Sequence, residues 1–123
     1  MEKNKVVYHR VVLKLSGEIL AGGKPAGIDY EAINEISDEI AEASRMVQMA
    51  IVIGGGNLFR GTDAERHGVD RVTADYAGML ATVMNSLILQ SILEKKGVQT
   101  RVQTAFEIRS LAEPYIRRRA MRH

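Results

Sequence analysis

Cysteine does not occur in the 123 residues, so any stable fold rests on a buried core without disulfides, and cysteine usage gives no sign of secretion. A hydrophobic content of 46% is enough for one such core at this length. A targeting or membrane segment is not evident either. The opening Met1-Glu2-Lys3-Asn4-Lys5 is polar and precedes no signal-type apolar core, and the longest apolar region is interrupted by Asn85, Ser86 and Gln90. We read a cytoplasmic domain without membrane contact. Aromatic residues are scarce, and stacking positions are lacking around Arg117-Arg118-Arg119. That run therefore reads as a solvated helix face and argues against nucleic acid as a partner. Five arginines and one glutamate fall in residues 109–123, a net of +4 against +2 for the whole chain, which leaves −2 for the first 108 residues. No repeat, low-complexity segment or carboxylate cluster with metal-ligand spacing is present, and His9, His67 and His123 are isolated.

What is present is an alternation of strand and helix patterns, which predicts an α/β layered fold with a mostly parallel sheet. A strand is expected over about Val6 to Leu15, then a loop, Ala21-Gly22-Gly23-Lys24-Pro25-Ala26-Gly27, mobile by composition. Asp29 can cap a helix to about Val47, with Ile33, Ile36, Ile40, Ala43 and Val47 on one face and acids on the other. Ile51, Val52 and Ile53 form the β-branched run of a parallel strand covered on both faces. A short helix over Leu58 to about Glu65 leads to His67, an exposed loop residue. The helix from about Ala74 to Lys96, stopped by Gly97, is the longest element. It carries an apolar stripe of Tyr76, Leu80, Val83 and Leu87, with Met79, Met84, Ile88, Ile92 and Leu93 around the rest, so one side faces the sheet and another a partner. Alternation of Val98, Thr100 and Val102 with polar residues predicts a further strand. Pro114 breaks the segment before a short helix from Tyr115 to Arg122.

Two turns carry the chemistry. Gly54-Gly55-Gly56-Asn57 follows the apolar strand, and Arg60 lies just beyond. Glycines let the backbone turn and approach a ligand, Asn57 is a suitable cap for the next helix, and an arginine fork suits phosphate. Upstream, Leu13-Lys14-Leu15-Ser16-Gly17-Glu18 places a lysine near a strand end before Ser-Gly. A lysine among apolar residues needs an anion or water. Adjacent parallel strands aim both turns at one crevice. Neither turn has P-loop spacing, and the spaced glycines of a Rossmann turn are absent too.

Leu13 to Glu18, Val52 to Gly61, Asp70-Arg71-Val72-Thr73-Ala74-Asp75-Tyr76 and Gly78-Met79-Leu80-Ala81-Thr82-Val83-Met84-Asn85 together resemble the bacterial uridylate kinases of the amino-acid-kinase superfamily. The resemblance runs from about residue 8 to the last. It implies a three-layer αβα sandwich of carbamate-kinase-like fold and transfer of the ATP γ-phosphoryl group to UMP. On that resemblance Lys14 is the catalytic cation. Lys14, Leu15, Ser16, Gly17, Gly56 and Arg60 hold ATP, Gly55 and Asp75 hold UMP, and Asp75 accepts hydrogen bonds from the ribose hydroxyls. By position alone, Asp75 could equally favour the positive end of its helix. Magnesium accompanies ATP with no protein metal site. The loop Gly22, Gly23, Lys24, Pro25, Ala26 and Gly27 relates to GTP activation, with UTP as inhibitor, or is a plain surface connection. The long helix would build homodimers, assembled into homohexamers. Members are about twice this length, so residues 1–123 are expected to be the amino-terminal, UMP-binding half, without the ATP-binding carboxyl-terminal half and without appreciable activity alone. The alternatives are a relative acting on carbamate, aspartate or acetylglutamate, and a non-catalytic truncated or oligomerising fragment.

Overall fold

The computed structural model describes residues 7–108 and 110–123; Val6, where the first strand is expected to begin, lies outside them. Strand β1 (Arg10–Leu15) pairs in parallel with β2 (Gln48–Ile53), in register Arg10 with Gln48 through Leu15 with Ile53. The crossover between them is helix α1 (Tyr30–Ser44). Asp29 caps α1 as its sequence position predicts, accepting from the main-chain N–H of Glu31 at 3.0 Å and of Ala32 at 3.4 Å. After β2 come the short α2 (Gly61–Arg66) and the 25-residue α3 (Arg71–Lys95). A second parallel pair, β3 (Gln103–Thr104) and β4 (Glu113–Pro114), precedes α4 (Arg117–Arg122).

The period of two sorts each strand. Leu13, Leu15, Met49, Ile51 and Ile53 face α1 and α3, where they join Leu20, Ile33, Ile40, Leu89 and Leu93 in one core. Burying side chains of this kind contributes roughly 1.5–3 kcal/mol each. The opposite face differs from the expectation of a strand covered on both sides: Val12 is 68% and Val52 56% exposed. Among the described residues both long helices pack on one face of β1–β2, so the β-branched run is half buried.

The α3 sequence is long and apolar enough to cross a bilayer by length and composition. Its buried Ala81, Asn85, Leu89 and Leu93 pack on the sheet, the glycine turn and α1, while its other face is left open. Of the expected stripe, Val83 is buried whereas Tyr76 and Leu80 are exposed, and Val72, Met79 and Met84 are exposed with them. The helix closes as Gly97 predicts. Gly97, at φ +85°, and Val98 donate to the carbonyls of Glu94 and Leu93, both at 3.0 Å, forming a Schellman motif.

Residues 98–102 do not form the expected strand, and two of their main-chain groups are engaged elsewhere. Val98 N–H belongs to that motif, and the Thr100 carbonyl accepts from Gln90 Nε2 at 3.0 Å. Pairing runs from Gln103 with Glu113 to Thr104 with Pro114, and the proline extends the chain here instead of breaking it. Glu113 and Tyr115 donate to the Val102 and Thr104 carbonyls, so the ladder needs no N–H from the proline.

The start of α3 supplies a pH-dependent contact. Asp70 accepts from Thr73 Oγ1 at 2.8 Å and from Thr73 N–H at 3.1 Å, and these bonds hold its carboxyl below the usual carboxylate range. A folded-state value below the unfolded one stabilises fully above the unfolded value and is lost as pH falls through the folded one. Asp70→Ala is therefore expected to lower the thermal midpoint at pH 7 and to lose most of that deficit at pH 2. A deficit equally large at both would show that the carboxylate is not the capping species.

Candidate functional site

The two turns meet. Gly54 N–H donates to the Leu15 carbonyl at 3.0 Å, and a Cβ on Gly17 would lie 2.7 Å from the Gly54 carbonyl oxygen and 2.8 Å from Gly56 N. Ser16 opens a 3₁₀ turn over Gly17–Ala21, its Oγ accepting from Glu18 N–H at 3.2 Å. None of Gly54, Gly55 and Gly56 has positive φ. Close approach is what selects glycine, and the first two approach protein rather than an open space. Gly54 lies against Gly17, and a Cβ on Gly55 would sit 2.8 Å from Ala81 Cβ on α3. Gly56 has room, its nearest neighbour being Glu18 Oε1 at 3.7 Å from the ideal Cβ.

Asn57 does not cap a helix at Leu58. It is 3% exposed, with its carboxamide bonded to Asn85 and to the Gly27 carbonyl, and α2 starts later, at Gly61, after Arg60 with no side-chain cap. A phosphate reading based on a helix amino end at residue 58 is thereby removed.

A cleft of about 480 Å³ opens beside Gly56, lined by Glu18, Phe59, Arg60, Arg71 and Asp75 among others. Arg60 donates from Nε to the Gly56 carbonyl at 3.1 Å and from its terminal nitrogen to Glu18 Oε1 at 2.8 Å. Both partners of this ion pair are more than half exposed. Pairs of that kind contribute about 0–1 kcal/mol, little enough for a phosphate to displace the glutamate. Asp75 is the fifth residue of α3, and the helix end is already served by Asp70. Since the helix-end field fades within one turn, the reading of Asp75 as a dipole partner loses its basis. It stands exposed on the cleft wall.

Gly56, Arg60 and Asp75 thus share one cleft. Lys14 is outside its lining, on the uncovered sheet face beside Val52, with no hydrogen-bond or ion-pair partner among the described residues. Gly55 lies behind the turn against α3. Arg71 and Glu18, quoted in the motifs but given no role, line the cleft; their signal was position next to Asp70 and Gly17. The loop Gly22 to Ile28 is tied at both ends, with Asp29 N–H donating to the Leu20 carbonyl at 2.7 Å and Gly27 N–H to the Asn57 carbonyl at 2.8 Å. His67 is exposed at the end of α2, as expected. A larger hollow of about 770 Å³ between β3, β4 and α4 contains neither glycine turn nor Asp75.

A profile of the amino acid kinase family matches residues 9–121. The chain belongs to the amino acid kinase family. Among solved members, a UMP kinase from Bacillus anthracis superposes with a TM-score of 0.87 at 43% identity, over 94% of this chain and 48% of that one. A UMP kinase from Ureaplasma parvum gives a TM-score of 0.86 at 33% identity, over 93% and 48% respectively. This amino acid kinase chain is similar to both and spans about half their length. Its β1–α1–β2 unit with α3 is an α/β arrangement of that fold, and both glycine turns and Asp75 fall within the matched residues.

Proposed function

We propose that residues 1–123 form the amino-terminal, UMP-holding half of a UMP kinase, which transfers the ATP γ-phosphoryl group to UMP and gives UDP and ADP. The observation that carries this reading is the convergence of Gly56, Arg60 and Asp75 on one cleft, in a chain 43% identical to a UMP kinase. Phosphoryl transfer asks the protein mainly for alignment and charge stabilisation. Asp75 would accept from the ribose hydroxyls, and Gly55 would set the turn beside UMP. Lys14, Leu15, Ser16, Gly17, Gly56 and Arg60 would hold ATP, with Lys14, which has no anionic partner among the described residues, on the transferring group. Magnesium would arrive with the nucleotide, held by phosphate oxygens and water, since no three His, Asp or Glu side chains converge among the described residues.

The same reading assigns the ATP adenine to a carboxyl-terminal half, GTP activation and UTP inhibition to contacts that include Gly22 to Gly27, and the enzyme to the cytoplasm. The outward face of α3, with Tyr76, Met79, Leu80 and Met84 exposed, supports homodimers through this helix within a homohexamer. That face equally favours a second reading, an oligomerising fragment without catalysis.

Titration of chain 1–123 with UMP separates these. Binding is expected, weakened by about 1.5–3 kcal/mol in Asp75→Asn through loss of a charged acceptor, with no appreciable turnover when ATP is added. Full turnover would overturn the assignment of half a site. Selective binding of carbamate, aspartate or acetylglutamate would move the chain to another branch of the family, and no ligand binding at all would leave the oligomerising fragment.

A further inference from the structure

Among the described residues the most completely buried polar contact lies behind the glycine turn. Asn57 and Asn85, 3% and 0% exposed, face each other as a cyclic amide pair: Asn85 Nδ2 donates to Asn57 Oδ1 at 2.7 Å, and Asn57 Nδ2 to Asn85 Oδ1 at 3.3 Å. The second N–H of each goes to the main chain, from Asn85 to the Gly54 carbonyl at 2.8 Å and from Asn57 to the Gly27 carbonyl at 3.0 Å. Main-chain carbonyls only accept, so the polarity of both carboxamides is fixed from both ends. All four side-chain N–H groups are used, and Gly27 N–H returns a bond to the Asn57 carbonyl at 2.8 Å. Asn57 Oδ1 also lies 2.7 Å from where a Gly17 Cβ would be. The pair therefore touches both glycine turns, the loop Gly22 to Ile28 and the helix that carries Asp75.

We propose that Asn57 and Asn85 are positioning residues. They set the Gly54–Gly56 turn against its phosphate ligand and couple the 22–28 loop to that turn. The phosphate part of this assignment rests on the UMP kinase reading above; the coupling part does not. A fully satisfied buried network specifies one geometry, and reversing one member's polarity propagates through it. With a carboxylate at position 85 both oxygens accept, so the one in place of Nδ2 opposes the Gly54 carbonyl and Asn57 Oδ1. Turning the Asn57 amide only moves its own oxygen against the other carboxylate oxygen and the Gly27 carbonyl. Asn57 is displaced either way, and its bonds to Gly27 loosen.

Asn85→Asp in chain 1–123 near pH 7 tests this in two arms. In the first, hydrogen exchange without ligand, Gly27 protection is expected to fall by about tenfold or more, while amides in the middle of α1 and α3 keep theirs. Unchanged Gly27 protection overturns the coupling. In the second, UMP affinity is expected to fall by about tenfold while uridine affinity stays constant, because only the phosphate meets the turn. Equal losses for both ligands overturn the phosphate role. If wild-type chain binds neither ligand, the kinase reading and the phosphate role fail together, and the exchange arm still decides the coupling. Asn57→Ala, which leaves Asn85 on the Gly54 carbonyl, is the second variant and is also expected to free Gly27. Global loss of protection in both variants overturns the proposal in favour of a purely structural pair.

Discussion

Gly17→Ala is expected to destabilise the chain by about 3 kcal/mol, at the upper end of overpacking costs, and to lower the urea midpoint accordingly. The added methyl would meet Asn57 Oδ1 and the Gly54 carbonyl oxygen at 2.7 Å and Gly56 N at 2.8 Å. Two of those atoms are main chain and cannot swing aside, and the third is locked by Asn85. Relief requires the two turns to separate, so nucleotide affinity should fall together with stability. Gly23→Ala is the control. It has nothing within 4 Å and no positive φ, so reduced freedom of the unfolded chain should leave stability unchanged or raised by up to about 1 kcal/mol. Equal midpoints for the two variants would show that the turns are not in contact in solution.

Leu93→Ala should cost about 2–5 kcal/mol, the range for truncating a buried leucine where the surroundings relax only partly. Leu93 is 2% exposed and packs in the core with Leu89, Ile33 and Ile40. Against a typical total of about 5–15 kcal/mol, that loss is a large share. Leu80→Ala, on the same helix but 51% exposed, should stay within about 0.5 kcal/mol for an isolated chain. A Leu80 effect as large as that of Leu93, seen by denaturation and growing with protein concentration, would mean that the outward face of α3 is covered by a second copy.

Features fixed by neighbours in sequence were legible. The Asp29 cap, the Gly97 stop and the strand at 51–53 depend on residues within a few positions and stand where their patterns place them, although the β-branched run is covered on one face and not on both. Asn57 misleads for the same reason: asparagine before a helix reads as a cap, and its actual partner is 28 residues away. Asn85 likewise reads as a flaw in an apolar stretch, although it is fully buried and fully bonded. The ion pair of Arg60 with Glu18 spans 42 residues, so local reading gives the arginine a free fork that the fold fills. Alternation at 98–102 has the strand period, but among the described residues only the Val102 carbonyl reaches a neighbouring strand, accepting from Glu113 N–H, and period alone does not supply a partner. At the candidate site, sequence motifs identified Gly56, Arg60 and Asp75, and the fold brings these three to one cleft. What the motifs could not show is the distance of Lys14 from that cleft, because it depends on which face of β1 the helices cover.

The two-stranded sheet has a consequence for handling the protein. Among the described residues β1 pairs only with β2, so each strand keeps an outer row of main-chain donors and acceptors that water must serve. Such rows are templates for another chain. The charged side chains of Arg10 and Lys14, on the same bare face as Val12 and Val52, set like charges against stacking of two copies face to face. They do not block lateral addition in the plane of the sheet. Concentrated samples should therefore grow sideways, strand upon strand, and salt that screens the cations should change face-to-face contact more than that growth.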